Sequence, residues 1–200
     1  MKDKQALSML NALRQYLSAY VTFTDEEFIA FSQSAEVRNF DKKHQLVKIG
    51  EVEDYINFIV KGLVRKYFLK GKEELIIQIA KENDIINSIS SFEGRKPSTY
   101  IVETIEPTTL ISISKENLDA LFLQSHKIER LGRLVATSFY LQKEAMEYDR
   151  MRLNTRERFV QFVRNNSDLM QRVPQKYLAS YLDIKPETFS RLKHLLQKRK

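Results

Sequence analysis

From about His126 to Arg152 the sequence carries no proline and a single glycine, Gly132, so nothing in it stops a helix. Leu131, Leu134, Ser138, Leu141, Ala145 and Tyr148 recur there at spacings of three and four, the pattern of a coiled-coil seam. A helix of about 25 residues spans roughly 37 Å, more than a small domain buries by itself. A partner helix is therefore expected, and a two-fold homodimer is the simplest source of one. A connector helix within one subunit is the alternative. Either way, this rod divides the chain into a part before it and a part after it.

Before the rod, residues 4–19 set Leu7, Leu10, Leu13 and Leu17 at helical spacing, which predicts an amphipathic N-terminal helix. Thr24 and Glu27 make a capping-box pattern, so a short helix is expected to start there and run through Phe28 and Phe31. After Ser34 the period changes. From Glu36 to about Ser114 the chain breaks into short runs rich in Val, Ile, Tyr, Phe and Thr: EVRNF, QLVKI, YINFIVKG, LVRKYFL, ELIIQIA, YIVETI and TLISIS. Turns fall near Gly50, Gly62, Lys70-Gly71 and Glu106-Pro107. Seven or eight short antiparallel strands predict a roll or barrel. Residues 83–98 read instead as a short helix and loop between two strands, which either lines a pocket or is a plain connection. Ser114 to Asn117 starts a further helix.

After the rod, Asn154-Thr155 breaks the pattern, and Thr155–Asn165 predicts a helix with Phe159, Phe162 and Val163 on its apolar side. A further turn is expected at 168–171. The stretch Val173–Lys200 then reads as two short helices joined by a tight turn and closed by a basic tail. Apolar or small residues at Leu178, Ala179, Leu182, Ile184, Phe189 and Leu192 form the inward face of a helix-turn-helix. Ala179 is small where the helices cross closely. Pro186 suits the first turn of a helix and starts the second one at about Lys185–Pro186. Asp183 stands where the turn usually favours glycine, although Asp tolerates left-handed backbone better than most residues. The outward residues Glu187, Thr188, Ser190, Arg191 and Lys193 are of types that reach base edges and phosphates. An ordinary pair of packed helices with a solvated basic face is the alternative.

Charge separates the two parts. Residues 150–200 hold 13 Lys and Arg against 4 Asp and Glu, whereas residues 1–149 hold 20 against 22, within a net charge of +7. A cationic end on a neutral body suits DNA binding, although membrane or RNA would also meet a basic surface. No apolar run reaches the length of a membrane span, and the N-terminus lacks a secretory apolar core, so the cytoplasm is expected. With no cysteines, disulfides, cysteine-ligated clusters and thiol switching are excluded. The three histidines, His44, His126 and His194, are scattered and make poor haem ligands. There is no phosphate loop, metal-spaced His/Glu cluster or serine elbow, so an enzyme is not expected.

The order of strand roll, long helix, hinge at Asn154 and helix-turn-helix resembles the Crp/Fnr family of bacterial transcription regulators across essentially the whole chain. The local wording is closest to the subgroup common in Bacteroidetes-type bacteria. The matching residues are Tyr55–Tyr67, Lys96–Ser98 with Val102-Glu103, Thr155–Val163 and Val173–Arg191. The family's recognition helix carries an Arg-Glu-x-x-x-x-Arg-like set, and the positions matching it here are Pro186, Glu187 and Arg191. The resemblance thus implies that Glu187 accepts from cytosine N4 and that Arg191 donates to guanine. With Pro186 in place of a basic reader, the preferred site should differ from that of the best-known member. The residues expected at the duplex are Gln175, Lys176, Lys185, Pro186, Glu187, Thr188, Ser190, Arg191 and Lys193. Family members usually carry a two-stranded wing after that helix; here little or no wing is expected, and residues 193–200 are expected at phosphate.

Cyclic-nucleotide binders of the family hold the ribose with a Gly-Glu pair and the phosphate with an Arg-Ser pair. Asn83-Asp84 stands nearest the first pair and Pro97-Ser98 matches the second, so the arginine is missing. Without that guanidinium a buried phosphate loses a charge-assisted fork, which argues against cyclic AMP and leaves room for another small molecule or none. The Thr-Ser pair that contacts adenine falls at Lys143-Glu144. The resemblance assigns an effector pocket to Asp84, Arg95, Lys96, Ser98 and Thr99, with Arg95 or Lys96 reaching in from the loop. It implies no certain cofactor and no metal.

The expected architecture is α+β: an antiparallel cyclic-nucleotide-binding-like roll with flanking helices over 1–125, a dimerisation helix over 126–153, and an all-α helix-turn-helix domain over 154–200. Double-stranded DNA and a second copy are the expected partners, with RNA polymerase as a further one and no membrane. The runner-up is a ligand- or partner-binding module whose helix pair makes protein contacts.

Overall fold

The computed structural model describes the backbone of residues 2–197 and the side chains of residues 8–195. It contains two compact units, Met1–Phe68 with Gln78–Thr137, and Leu69–Ile77 with Ser138–Lys200.

The first unit opens with α1 (Lys2–Ser18) and α2 (Asp25–Gln33). Leu13 and Leu17 of α1 are buried, Leu10 is half-buried, and the Leu7 side chain lies outside the described residues. Tyr16 meets Phe58 at 5.4 Å between ring centres, so the apolar face of α1 covers the roll. The capping box before α2 is formed: the Glu27 N–H donates to Thr24 Oγ1 at 3.2 Å, and the Thr24 N–H to Glu27 Oε2 at 2.9 Å.

Eight strands follow: β1 (Ala35–Phe40), β2 (Gln45–Val47), β3 (Tyr55–Lys61), β4 (Val64–Lys70), β5 (Glu73–Ala80), β6 (Ile85–Ile86), β7 (Ile101–Thr104) and β8 (Thr108–Ser114). They form two four-stranded sheets, ordered β1-β8-β3-β6 and β2-β7-β4-β5. The core lies between them, where Ile59, Ile86 and Leu110 from one sheet meet Val47, Val64, Ala80 and Val102 from the other. Seven strands follow the alternating runs of the sequence. The eighth, β6, lies in the segment expected to hold only helix and loop. Two residues show no period, but Ile86 is buried and Ile85 pairs with Phe58 of β3. The rest of that segment gives α3 (Ile89–Gly94) and a loop, as expected. Gly62 adopts φ +110, and a Cβ there would lie 2.8 Å from the Thr108 Cα, so the β3–β4 turn admits only glycine.

Ser114 caps α4 (Lys115–Gln124), accepting from the Asn117 N–H at 3.1 Å. The rod is one helix, α5 (His126–Arg152). Its lone glycine has a packing reason, because a Cβ on Gly132 would come within 2.6 Å of the Phe122 ring.

In the second unit, α6 (Thr155–Asn165), α7 (Leu169–Arg172), α8 (Gln175–Tyr181) and α9 (Pro186–Gln197) surround a small core. Phe159 and Phe189 meet edge to face at 5.2 Å, and Phe162, Leu169, Val173, Leu178, Ala179 and Leu192 are buried with them. The hairpin tip joining β4 to β5 belongs to this unit.

Candidate functional site

Asn154 ends the rod by capping α6. Its Oδ1 accepts from the Arg156 and Glu157 N–H groups at 3.0 and 3.1 Å, and Glu157 closes the box on the Asn154 N–H at 2.9 Å. The hinge is thus a defined corner. Arg150 and Asp183 stand 3.2 Å apart, and Gln161 donates to Asp149 at 2.8 Å, tying the end of α5 to the helices beyond.

The turn between α8 and α9 passes through Asp183 at φ +56, the left-handed position anticipated for glycine. The Asp183 N–H donates to the Ser180 carbonyl and the Ile184 N–H to the Ala179 carbonyl, both at 3.0 Å, so the last carbonyls of α8 are satisfied. Ala179 is fully buried where α8 and α9 cross. Pro186 begins α9, where its missing N–H costs nothing.

Of the residues expected at the duplex, Gln175, Lys176, Lys185, Pro186, Glu187 and Arg191 are exposed, and Thr188, Ser190 and Lys193 are half-buried. Among the described residues, no carboxylate pairs with Arg191, Lys185 or Lys193. Lys176 lies 4.9 Å over the Tyr177 ring. The tail from Lys198 on lies outside the described residues.

On α5 the expected seam is divided. Leu131 is buried within the first unit, and Leu134 and Ser138 are half-buried. Leu141, Ala145 and Tyr148 are exposed, as are Tyr140, Met146 and Met151. These large apolar side chains on a charged helix have no cover within the described residues.

Of the residues assigned to an effector pocket, Asp84 stands just before β6, and Arg95, Lys96, Ser98 and Thr99 stand on the loop between α3 and β7. Asp84 caps a turn before β6, accepting from the Lys81 N–H at 2.9 Å, next to Asn83 at φ +69. Arg95, at φ +47 after α3, points its guanidinium to the Glu53 carbonyl at 2.8 Å and to the Asp54 carboxylate. It borders an open groove of about 700 Å³ also lined by Glu93, Lys115 and Asp119. Lys96 and Thr99 are exposed. Ser98 is buried, and its hydroxyl lies 2.8 Å from both Ser88 Oγ and the Tyr100 carbonyl. Its buried side-chain partner is therefore Ser88, in the segment between β6 and α3.

Three features here escaped the sequence reading. Glu53 is 2% exposed and accepts from the Tyr55 and Ser88 N–H groups at 3.2 and 3.3 Å. Burial pushes its carboxyl above the usual range, against the lowering effect of those bonds. Asn87 is also buried, and its Nδ2 has no hydrogen-bond partner among the described residues. Within one sheet, Arg65 of β4 pairs with Glu103 directly opposite it on β7 at 2.7 Å, with side chains 3% and 10% exposed, and the Tyr67 hydroxyl donates to the same carboxylate at 3.3 Å. The period-two runs put Arg65 and Tyr67 on one face, but no local signal joins them to a glutamate 38 positions away. Arg65 is held by a buried carboxylate, whereas Arg95 and Asp54 form an exposed pair at the edge of the groove.

Residues 37–125 match the family model described as the cyclic nucleotide-binding domain, a stretch running from β1 to the end of α4. Comparison with curated protein sequences returns no match. Among solved structures, the fold is similar to that of CLP, the c-di-GMP-responsive global regulator of Xanthomonas campestris. The TM-score is 0.63 at 18% identity, covering 84% of this chain and 89% of that one. FixK2 from Bradyrhizobium japonicum gives 0.65 at 19% identity over 82% and 85% of the two chains. The catabolite activator protein of Thermus thermophilus gives 0.53 at 16% identity over 90% and 86%. At such identities the likeness is one of fold. The expected α+β class, an antiparallel roll followed by helices, holds. The matched domain and these neighbours are regulatory rather than enzymatic. Among the described residues no helix is long and apolar enough to cross a membrane, and no group of His, Cys, Asp or Glu is arranged to hold a metal ion.

Proposed function

We propose, from the premise of a cyclic nucleotide-binding roll followed by a helical unit, that this chain is a homodimeric transcription regulator of the Crp/Fnr type, in the subgroup its wording most resembles. In this reading it binds palindromic double-stranded DNA through α9. The observation that carries the reading is the α8–α9 corner, which buries Leu178, Ala179, Phe189 and Leu192 inward and leaves Glu187 and Arg191 outward and exposed. The cationic surplus of residues 150–200 supplies phosphate attraction, and the exposed apolar run on α5 supplies the two-fold contact that a palindrome requires. The working division is 1–125 for the roll, 126–153 for dimerisation and 154–200 for DNA.

Control is allosteric in this proposal: a change in the roll resets the spacing of the two α9 helices, which must match one duplex turn, roughly 34 Å. In this reading cyclic AMP is not expected as the effector, because Pro97 offers no charge where the resemblance places an arginine and Arg65 is held by the buried Glu103 carboxylate. A ligand at a hundredfold excess over its Kd would add about 2.7 kcal/mol to folding stability, so cyclic AMP at 1 mM should leave the melting temperature unmoved.

Selection of bound duplexes from a random pool, with salt titration, tests the reading. Enrichment of a two-fold site whose affinity falls steeply with salt is the expected result. A pool that enriches nothing would instead favour the helix pair as a protein-binding surface.

A further inference from the structure

β5 is an edge strand, bordered in its sheet by β4 alone. Such a strand leaves outward N–H and C=O groups at every second residue, free to pair with whatever approaches. Two of them, on Ile76 and Glu74, meet one hydroxyl. The Ile76 N–H donates to Ser180 Oγ at 3.0 Å, and Ser180 Oγ donates to the Glu74 carbonyl at 2.9 Å. A hydroxyl both gives and accepts at a single atom, so it fills on this edge the slot that a neighbouring strand's backbone would fill. Ser180 belongs to α8, and the whole contact lies inside the unit formed by Leu69–Ile77 and Ser138–Lys200.

Ser180 sits one helical turn after Lys176, on the side of α8 away from the buried Leu178 and Ala179. With the contact formed, Glu187 and Arg191 of α9 remain exposed. The grip of the hairpin is thus compatible with reading a duplex.

We propose that the outer edge of β5 is a docking strip for the helix pair and that Ser180 is its positioning residue, fixing the angle at which α9 is presented. The DNA consequence rests on the function proposed above; the contact itself does not.

The test uses the full chain with Ser180→Ala and Ser180→Thr. It reads amide hydrogen exchange at Ile76 and Phe189, the melting temperature, and affinity for the selected palindrome. In Ser180→Ala, Ile76 should exchange about tenfold faster and affinity should fall by about three- to tenfold at an unchanged melting temperature. Ser180→Thr, which keeps the hydroxyl, should restore both. Unchanged exchange at Ile76 overturns the proposal, and so does faster exchange with undiminished affinity. If the wild-type chain binds no duplex, faster exchange at both Ile76 and Phe189 in Ser180→Ala upholds the docking strip while the DNA reading falls. Under the same condition, an unmoved Phe189 overturns the strip as well.

Discussion

Arg150 Nη2 lies 3.2 Å from Asp183 Oδ2, which joins the end of the long helix to the turn of the helix pair. Asp183 therefore has two roles: its backbone takes the left-handed conformation at φ +56, and its carboxylate meets a cation. Both side chains are about 70% exposed, so the ion pair stabilises little. The backbone requirement dominates. Asp183→Gly should leave stability within about 0.5 kcal/mol of wild type, whereas Asp183→Ala should cost about 1 kcal/mol, as measured by denaturant unfolding. Equal losses in the two variants would show that the carboxylate matters more than the turn.

Arg191→Ala should weaken binding to the selected duplex by about 1–3 kcal/mol and relax preference at one base pair per half-site. Lys198→Ala, in the tail outside the described residues, should weaken all duplexes alike and reduce the salt slope by about one. Titration against single-base variants of the site separates the two patterns.

The exposed face of α5 predicts the oligomeric state. Leu141 and Tyr148 are 56% and 62% exposed in the single chain, which a two-fold helix pair would bury. Sedimentation at micromolar concentration should give a dimer for the wild type and a monomer for Leu141→Asp with Tyr148→Asp. The double variant should also lose most of its affinity for a palindrome. A monomeric wild type would remove the dimer from the proposal.

Glu53 and Glu27 should respond to acid in opposite senses. Burial raises the Glu53 carboxyl above its ordinary pKa, so the folded chain takes up its proton before the unfolded chain does. As pH falls from 7 toward the ordinary carboxylate range, wild type should gain stability relative to Glu53→Gln. The Lys127 ammonium and the Thr24 N–H lower the Glu27 carboxyl, whose stabilisation is present above its unfolded pKa and lost as pH falls through the folded one. Relative to Glu27→Gln, wild type should therefore lose stability in acid. Urea unfolding of the three proteins from pH 7.5 down to about 3, past the ordinary glutamate value of 4.5 below which the Glu27 contribution is lost, checks both signs.

The buried Arg65–Glu103 pair predicts an asymmetry. Removing one partner, as in Arg65→Met, leaves an uncompensated buried carboxylate and should cost about 3–5 kcal/mol. Replacing both, with Arg65→Met and Glu103→Leu, should recover most of that loss. A double variant no more stable than the single one would show that the Tyr67 hydroxyl and the remaining polar neighbours depend on the pair.

The sequence alone determined whatever depends on neighbours a few positions apart. Thr24–Glu27 and Asn154 at the helix starts, Pro186 opening α9, the break-free run of α5 and the alternating strands are all set by local geometry and period. Asp183 in the left-handed turn was legible for the same reason. Only the tertiary structure decided which distant groups meet. It set Arg65 against Glu103, Ser98 against Ser88, the Phe122 ring over Gly132, and Ser180 on the edge of β5. Period says which face a residue takes and not which distant residue it meets: Arg65 and Glu103 lie on strands of the same period and are brought opposite each other by register, Phe122 and Gly132 by the crossing of two helices, and Ser180 meets backbone, which carries no residue-specific signal. The two-residue strand β6 was missed because two side chains cannot display an alternation, and pairing with β3 is what made it a strand.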